Sequence, residues 1–257
     1  MRYLDPHEFI QRRFTGRAKP SWNTAIICFR DLGGSEALLN KLHAVPLKQM
    51  FLWGMDVPGD RPYVYEARTG DNQIAIVSGC WWGGPQAAIL VEELSCLGVE
   101  YIIGFGFAGS ISSDLPKGTQ TVASRGLVTD GTSRFYTKAD SVNADPELLG
   151  VVQSVVKDLK HEVIAVTIAT VDAIYQETDN AVREWVNLGA QAINMETTPL
   201  YAASHVCGVK SIWLGPISDC LIGDNWDNWW DFPEKQSVDN DAIEIAIALI
   251  ESLRKNA

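Results

Sequence analysis

The sequence predicts an α/β fold, a single domain over residues 1–257. Three observations predict it. Short β-rich runs alternate with helical patterns along the chain. Several of the runs are apolar on both faces, as strands covered by helices on both sides must be. No linker-like, low-complexity or repeated segment divides the chain. In such sheets, ligands bind beyond the carboxyl ends of the strands.

In chain order, "TAIICF" (24–29) predicts a strand and "GSEALLNKL" (34–42) a helix. "QIAIVSG" (73–79) and "YIIGFGF" (101–107) are strands on either side of the helical "PQAAILVEELSCLG" (85–98). Pro85 suits a first helical position, and Gly98 suits a C-terminal cap. "TQTVAS" (119–124) is a strand, "DPELLGVVQSVVKDL" (145–159) a helix and "EVIAVTIAT" (162–170) a strand. The helix "DNAVREWVNLG" (179–189) ends at Gly189, and "TTPLYAASHVCG" (197–208) at Gly208; "AINM" (192–195) is the strand between them. "SIWLGPIS" (211–218) is the last strand. "VDNDAIEIAIALIESLRK" (238–255) is an amphipathic helix with basic residues in its last turn.

With 257 residues, 46% hydrophobic and 21% charged, the chain can bury most of its apolar surface. A net charge of -11 argues against a nucleic-acid partner, which needs clustered Lys and Arg. Cys28, Cys80, Cys96, Cys207 and Cys220 are odd in number and lack C-x-x-C spacing, which predicts buried, reduced thiols in a cytoplasmic protein and no metal site. The N-terminal "MRYLDPHEFIQRRF" has no apolar h-region, and no apolar run reaches ~18 residues, so neither a signal peptide nor a membrane partner is expected.

Four strand ends carry the chemistry. "YIIGFGFAGSI" (101–111) and "SGCWWGGPQ" (78–86) put glycines before a turn or helix, where a ligand can approach the backbone. Glycine and phenylalanine also meet in tight cores, so a purely structural turn stays open. In "AINMETTPLYAAS" (192–204), Glu196 either complements the helix macrodipole or accepts hydrogen bonds from vicinal sugar hydroxyls. In "LGPISDCLIGD" (214–224), Asp219 is either a helix N-cap or a partly desolvated carboxyl able to donate a proton.

Together "SGCWWGGPQAAILVEEL", "GFGFAGSI", "LPKGTQTVAS", "VDAIYQET", "INMETTPLYAA" and "ISD" resemble the nucleoside phosphorylase-I superfamily, over roughly Ile74 to Asp219. That group includes purine nucleoside and uridine phosphorylases and methylthioadenosine/adenosylhomocysteine nucleosidases. The resemblance implies an α/β/α sandwich around a twisted, largely closed mixed sheet, assembled as a homo-oligomer (dimer or hexamer) and acting on a small-molecule nucleoside. It assigns Met195 and Glu196 to the sugar and Asp219 to the departing purine-like base. Ile174, Tyr175 and Phe107 fall at base-binding positions.

The departures concern the anion site. Gly104 stands where phosphorylases place an Arg, Phe107 where a Thr is common, Phe29 where the first strand end has a Gly, and Gln86 where a small polar residue belongs. Loss of a bidentate cation should remove most oxyanion binding. Arg30, Arg61, Gly84, Gly106 and Ala108 remain as a residual phosphate or water site, with Asp31 as a candidate base. The resemblance therefore implies cleavage of an N-glycosidic bond, leaning to hydrolysis. A phosphorylase using inorganic phosphate as co-substrate, without other cofactors, and a non-catalytic nucleoside-binding or storage protein are the alternatives. The tryptophan-rich "DNWDNWWDF" (224–232) either covers the base or forms an oligomer contact.

Overall fold

The computed structural model describes residues 3–47, 52, 63–70, 72–80, 83–222 and 226–253. The chain runs α1 (Pro6–Arg13), β1 (Trp22–Cys28), α2 (Leu32–Lys41), β2 (Val45–Pro46), β3 (Val64–Thr69), β4 (Asn72–Val77), α3 (Gly83–Cys96), β5 (Tyr101–Phe105) and β6 (Ala108–Ser110). It continues with β7 (Gln120–Val128), β8 (Ser141–Asn143), α4 (Pro146–Leu159), β9 (Ile164–Thr170), α5 (Asp179–Asn187), β10 (Ala192–Asn194), α6 (Thr197–Cys207), β11 (Lys210–Cys220) and α7 (Lys235–Leu253).

All of these strands join one mixed sheet in the order β2-β3-β4-β1-β5-β11-β6-β10-β9-β7-β8. β4, β1, β5 and the first half of β11 are parallel neighbours, and β5 is buried along its whole length. β11 then changes partners. Its residues Leu214–Pro216 run antiparallel to β7, and from Ile217 onward it pairs with β6. Because β6, β10, β9 and β7 follow one another in the sheet, this second pairing closes five strands into a ring.

The exchange needs a close backbone crossing. Gly106, at the break between β5 and β6, donates its N–H to Leu214 O at 3.2 Å. A Cβ added at Gly215 would lie 2.0 Å from Gly106 O. Tyr201 fastens the same region from α6: its hydroxyl donates to Ala123 O at 2.6 Å and accepts from Trp213 N at 2.9 Å. Helices cover the sheet in two groups. α3 packs against α1 and α6, whereas α7 packs against α2 and α4, and α6 and α7 both rest on β11.

The predicted strand 101–107 ends at Phe105, and a separate strand, β6, starts at Ala108 after the break at Gly106 and Phe107. β3 and α1 are additions to the expected elements; β3 reads "VYEART", whose polar residues hide its alternation, and α1 has only eight residues. β2 and β8, at two and three residues, are too short to carry a period. Pro85 is the third residue of α3 rather than the first. Gly98, Gly189 and Gly208 all adopt positive φ just past helix ends, as predicted. Arg254 and Lys255, the expected basic residues of the last turn, lie outside the described residues. Among the described residues no helix is long and apolar enough to cross a membrane. Cys28 and Cys80 are buried, but Cys96, Cys207 and Cys220 are half-buried, and all five are free thiols.

Candidate functional site

A cavity of about 630 Å³ opens where β1, β10 and β11 end, with the 226–230 segment and the start of α7 forming its outer wall. It is lined on one side by Met195 and Glu196, on another by Asp219 and Glu177, and on a third by Phe107 and Asp239.

The sugar side is built by a turn. Strand β10 stops at Asn194, whose Oδ1 accepts hydrogen bonds from the N–H groups of Glu196 (3.3 Å) and Thr197 (3.2 Å). These bonds cap α6 and turn residues 195–196 toward the cavity. Glu196 is 9% exposed, and its Oε2 accepts from Met195 N at 3.2 Å. Burial pushes its carboxyl up to about 8, only partly opposed by that N–H. The folded chain therefore binds this proton more tightly than the unfolded chain. The stability Glu196 contributes is complete below its ordinary 4.5 and is lost as pH rises through about 8. Glu196→Gln should accordingly gain on the wild type in thermal midpoint as pH rises through this window, in the absence of ligand. Parallel curves would refute the burial argument.

On the base side, β11 carries a bulge. Ile217 pairs with Ala108 and Asp219 with the very next residue, Gly109. The extra residue, Ser218, breaks the alternation that would put Asp219 on the face of buried Ile217. Asp219 lies instead over Gly109, where a Cβ would stand 3.3 Å from its Oδ2. It belongs to the strand and caps no helix, so the N-cap alternative is corrected. Its Oδ1 accepts from Ser218 Oγ at 2.6 Å and its Oδ2 from Trp226 Nε1 at 2.7 Å.

Glu177 faces the same space, and its carboxyl is raised to about 7, first by burial and second by the charge of Asp219. Near neutrality Glu177 is therefore partly protonated. Ile174 and Glu177 line both this cavity and an adjoining one of about 700 Å³, whereas Tyr175, 95% exposed, lines only the latter. Tryptophans form the outer wall. Trp229 packs against Phe107 with ring centroids 5.5 Å apart, and Trp226 meets Trp230 edge-on at 5.1 Å. Asp224 and Asn225, the first two residues of the tryptophan-rich segment, lie outside the described residues.

The third side holds the predicted anion site. Arg30 is completely buried, with its guanidinium 3.9 Å from the Phe105 ring centroid and 4.1 Å from that of Phe107. Nη1 donates to Asp239 Oδ1 and Nη2 to Gly106 O at 3.4 Å. Burial lowers the Arg30 pKa, and the Asp239 charge opposes that shift. The guanidinium is thus enclosed by two rings, a carbonyl and its own counter-ion. Gly104 leaves no room for a replacement cation: a Cβ there would lie 2.7 Å from Leu200 and 2.9 Å from Trp213.

Gly106 and Ala108 are buried in the sheet, and Gly84 lines a separate pocket of about 380 Å³ that shares only Met195 with the main cavity. Arg61 lies outside the described residues. Asp31 lines the cavity but caps α2 through its contact with Gly34 N. The structure thus brings Met195, Glu196, Asp219, Ile174 and Phe107 into one cavity, and it separates Gly84, Gly106, Ala108 and Arg30 from its surface. Glu177 and Asp239 escape a reading of the sequence. Glu177 sits inside the quoted "VDAIYQET" but gives no signal of its burial, and Asp239 looks like one more polar residue of an amphipathic helix.

Elsewhere, His161, Asp241 and Glu244 hold ligand-capable atoms within 4.8 Å of one another, outside this cavity.

The family model for the phosphorylase superfamily matches residues 30–253. A protein of Acanthamoeba polyphaga mimivirus, R802, is 32% identical over 148 residues, 58% of each chain. A guanosine phosphorylase from Halorubrum lacusprofundi is 30% identical over 175 residues, covering 65% of this chain and 70% of that one. The chain thus spans 58% and 70% of the lengths of these two relatives. The crystal structure of a 5′-methylthioadenosine/S-adenosyl homocysteine nucleosidase from Campylobacter jejuni superposes with a TM-score of 0.72 at 16% identity, over 90% of this chain and 100% of the other.

Proposed function

The chain belongs to the phosphorylase superfamily, and we propose that it cleaves the N-glycosidic bond of a nucleoside with a purine-like base, with water as the acceptor. In this reading Glu196 accepts hydrogen bonds from the ribose hydroxyls and Met195 packs on the sugar. Asp219 faces the imidazole edge of the base, and the proton held by Glu177 neutralises the departing base. General acid assistance of this kind is worth ~10²–10⁴-fold. Phe107 and the tryptophans exclude bulk water and offer flat surfaces to the base.

One observation carries the hydrolytic choice: the Arg30 guanidinium, bonded to Gly106 of the Gly-rich loop, is fully buried and already paired with Asp239. A phosphate entering that corner would have to displace a carboxylate and push a pair of phenylalanine rings aside. Release of free base from purine nucleosides in phosphate-free buffer tests the reading. The expected rate is the same with and without added phosphate, and strict phosphate dependence would overturn it. Phosphorolysis is the second reading, favoured by the similarity to a guanosine phosphorylase. Nucleoside binding without turnover would instead indicate a storage or carrier role.

A further inference from the structure

We propose that Asp239, on α7, orients and deprotonates the water that attacks the sugar, and that Arg30 is its positioning residue. The inference rests on the hydrolytic reading above and adds to it the identity of the base.

Among the described residues, five carboxyls line the cavity: Asp31, Glu177, Glu196, Asp219 and Asp239. Four have other partners or duties. Asp31 caps α2, Glu196 sits at the sugar turn, and Glu177 and Asp219 line the base side, where the Asp219 charge acts on Glu177. Asp239 enters from α7, beside Phe107 and the end of β1. Its side chain is 18% exposed, and only Oδ1 is bonded, to Arg30. Among the described residues Oδ2 has no protein partner, so it is free to accept a hydrogen bond from water in the cavity.

Arg30 gives that carboxylate its fixed direction. The guanidinium cannot swing, because two rings clamp its faces and Gly106 O holds its other end. A planar cation held this way fixes one oxygen of its partner and leaves the second aimed by geometry. A carboxylate base suffices here because the carbon under attack is already oxocarbenium-like. Placing an acid at the leaving group and a separate carboxylate at the water is the arrangement of inverting glycoside hydrolysis.

The step balances as follows. The C1′–N bond breaks and its electron pair goes to the base, whose imidazole edge takes the proton held by Glu177. Water oxygen forms the new bond to C1′ and gives one proton to Asp239 Oδ2. Asp239 then returns that proton to solvent, and Glu177 takes one up.

Asp239→Asn and Asp239→Ala in the full chain test the assignment, assayed with a purine nucleoside in phosphate-free buffer. Asp239→Asn should lower kcat by about 10²-fold or more while KM stays within about threefold. Its pH–rate profile should lose the limb that rises with ionisation of the base. In Asp239→Ala, azide should restore base release and yield the glycosyl azide, since azide attacks without giving up a proton; a purely structural role would show no such rescue. If removal of the counter-ion prevents folding, the double variant Arg30→Met/Asp239→Asn takes away both charges and should fold, with the same kcat loss. Hydrolysis by Asp239→Asn or the double variant at close to the wild-type rate would overturn the assignment, as would absence of azide rescue. Strict phosphate dependence in the wild type would instead remove the hydrolytic reading itself, so the two failures are distinguishable.

Discussion

Asp219→Asn should lower kcat/KM for nucleoside cleavage by roughly 10²–10⁴-fold without loss of fold. The substitution keeps size and hydrogen bonding. The amide oxygen can accept from Trp226 Nε1 as Oδ2 does, and the amide nitrogen can donate to Ser218 Oγ once that hydroxyl rotates. What disappears is the charge facing the base and the partner of Glu177. Because the Asp219 charge is the second cause of the raised Glu177 carboxyl, its removal should bring the Glu177 pKa down from about 7. The alkaline limb of the residual pH–rate profile, where Glu177 loses its proton, then moves to lower pH. Two readouts therefore accompany each other, a slower reaction and a displaced profile. Wild-type kcat/KM in Asp219→Asn would remove Asp219 from the reaction altogether.

The largest effect on stability should come from a single methyl group. Gly215→Ala places a carbon 2.0 Å from Gly106 O, a backbone atom rather than a side-chain tip. Neither strand can withdraw easily: Gly106 N is bonded to Leu214 O, and Thr121 Oγ1 donates to Gly215 O at 2.7 Å. The clash must be relieved by moving β11 away from the β5–β6 break, where the sheet begins its closed ring. A loss of at least ~3 kcal/mol is expected, at the upper end for overpacking. Urea unfolding of the variant measures it, and a change below about 1 kcal/mol would show that the crossing is softer than the geometry implies. The same displacement should slow catalysis, since Asp219 follows four residues later on β11.

Seven strands and six helices are legible in the sequence because their apolar runs are long enough to carry a period, from "TAIICF" to the C-terminal helix. Glu196 and Asp219 are legible too, each standing at the end of an apolar strand. The remainder depends on which strands become neighbours. Nothing in "YIIGFGFAGSI" announces that Gly106 marks a break between strands, because that break is set by Gly215, more than a hundred residues away. Arg30 reads as a basic residue of a residual phosphate or water site after a strand, and only the fold delivers two phenylalanine rings and an α7 carboxylate to it. Glu177 becomes a proton-holding group because the fold buries it and, second, brings the Asp219 charge near it, neither of which has a counterpart in local spacing.

The ring of five strands also limits what the protein can do by accident. Among the described residues each of the five ring strands has a neighbour on both sides, and the sheet order ends in β2 and β8, only two and three residues long. Such stubs give an incoming chain too few N–H and C=O groups to extend, so edge-to-edge aggregation has little template to grow from.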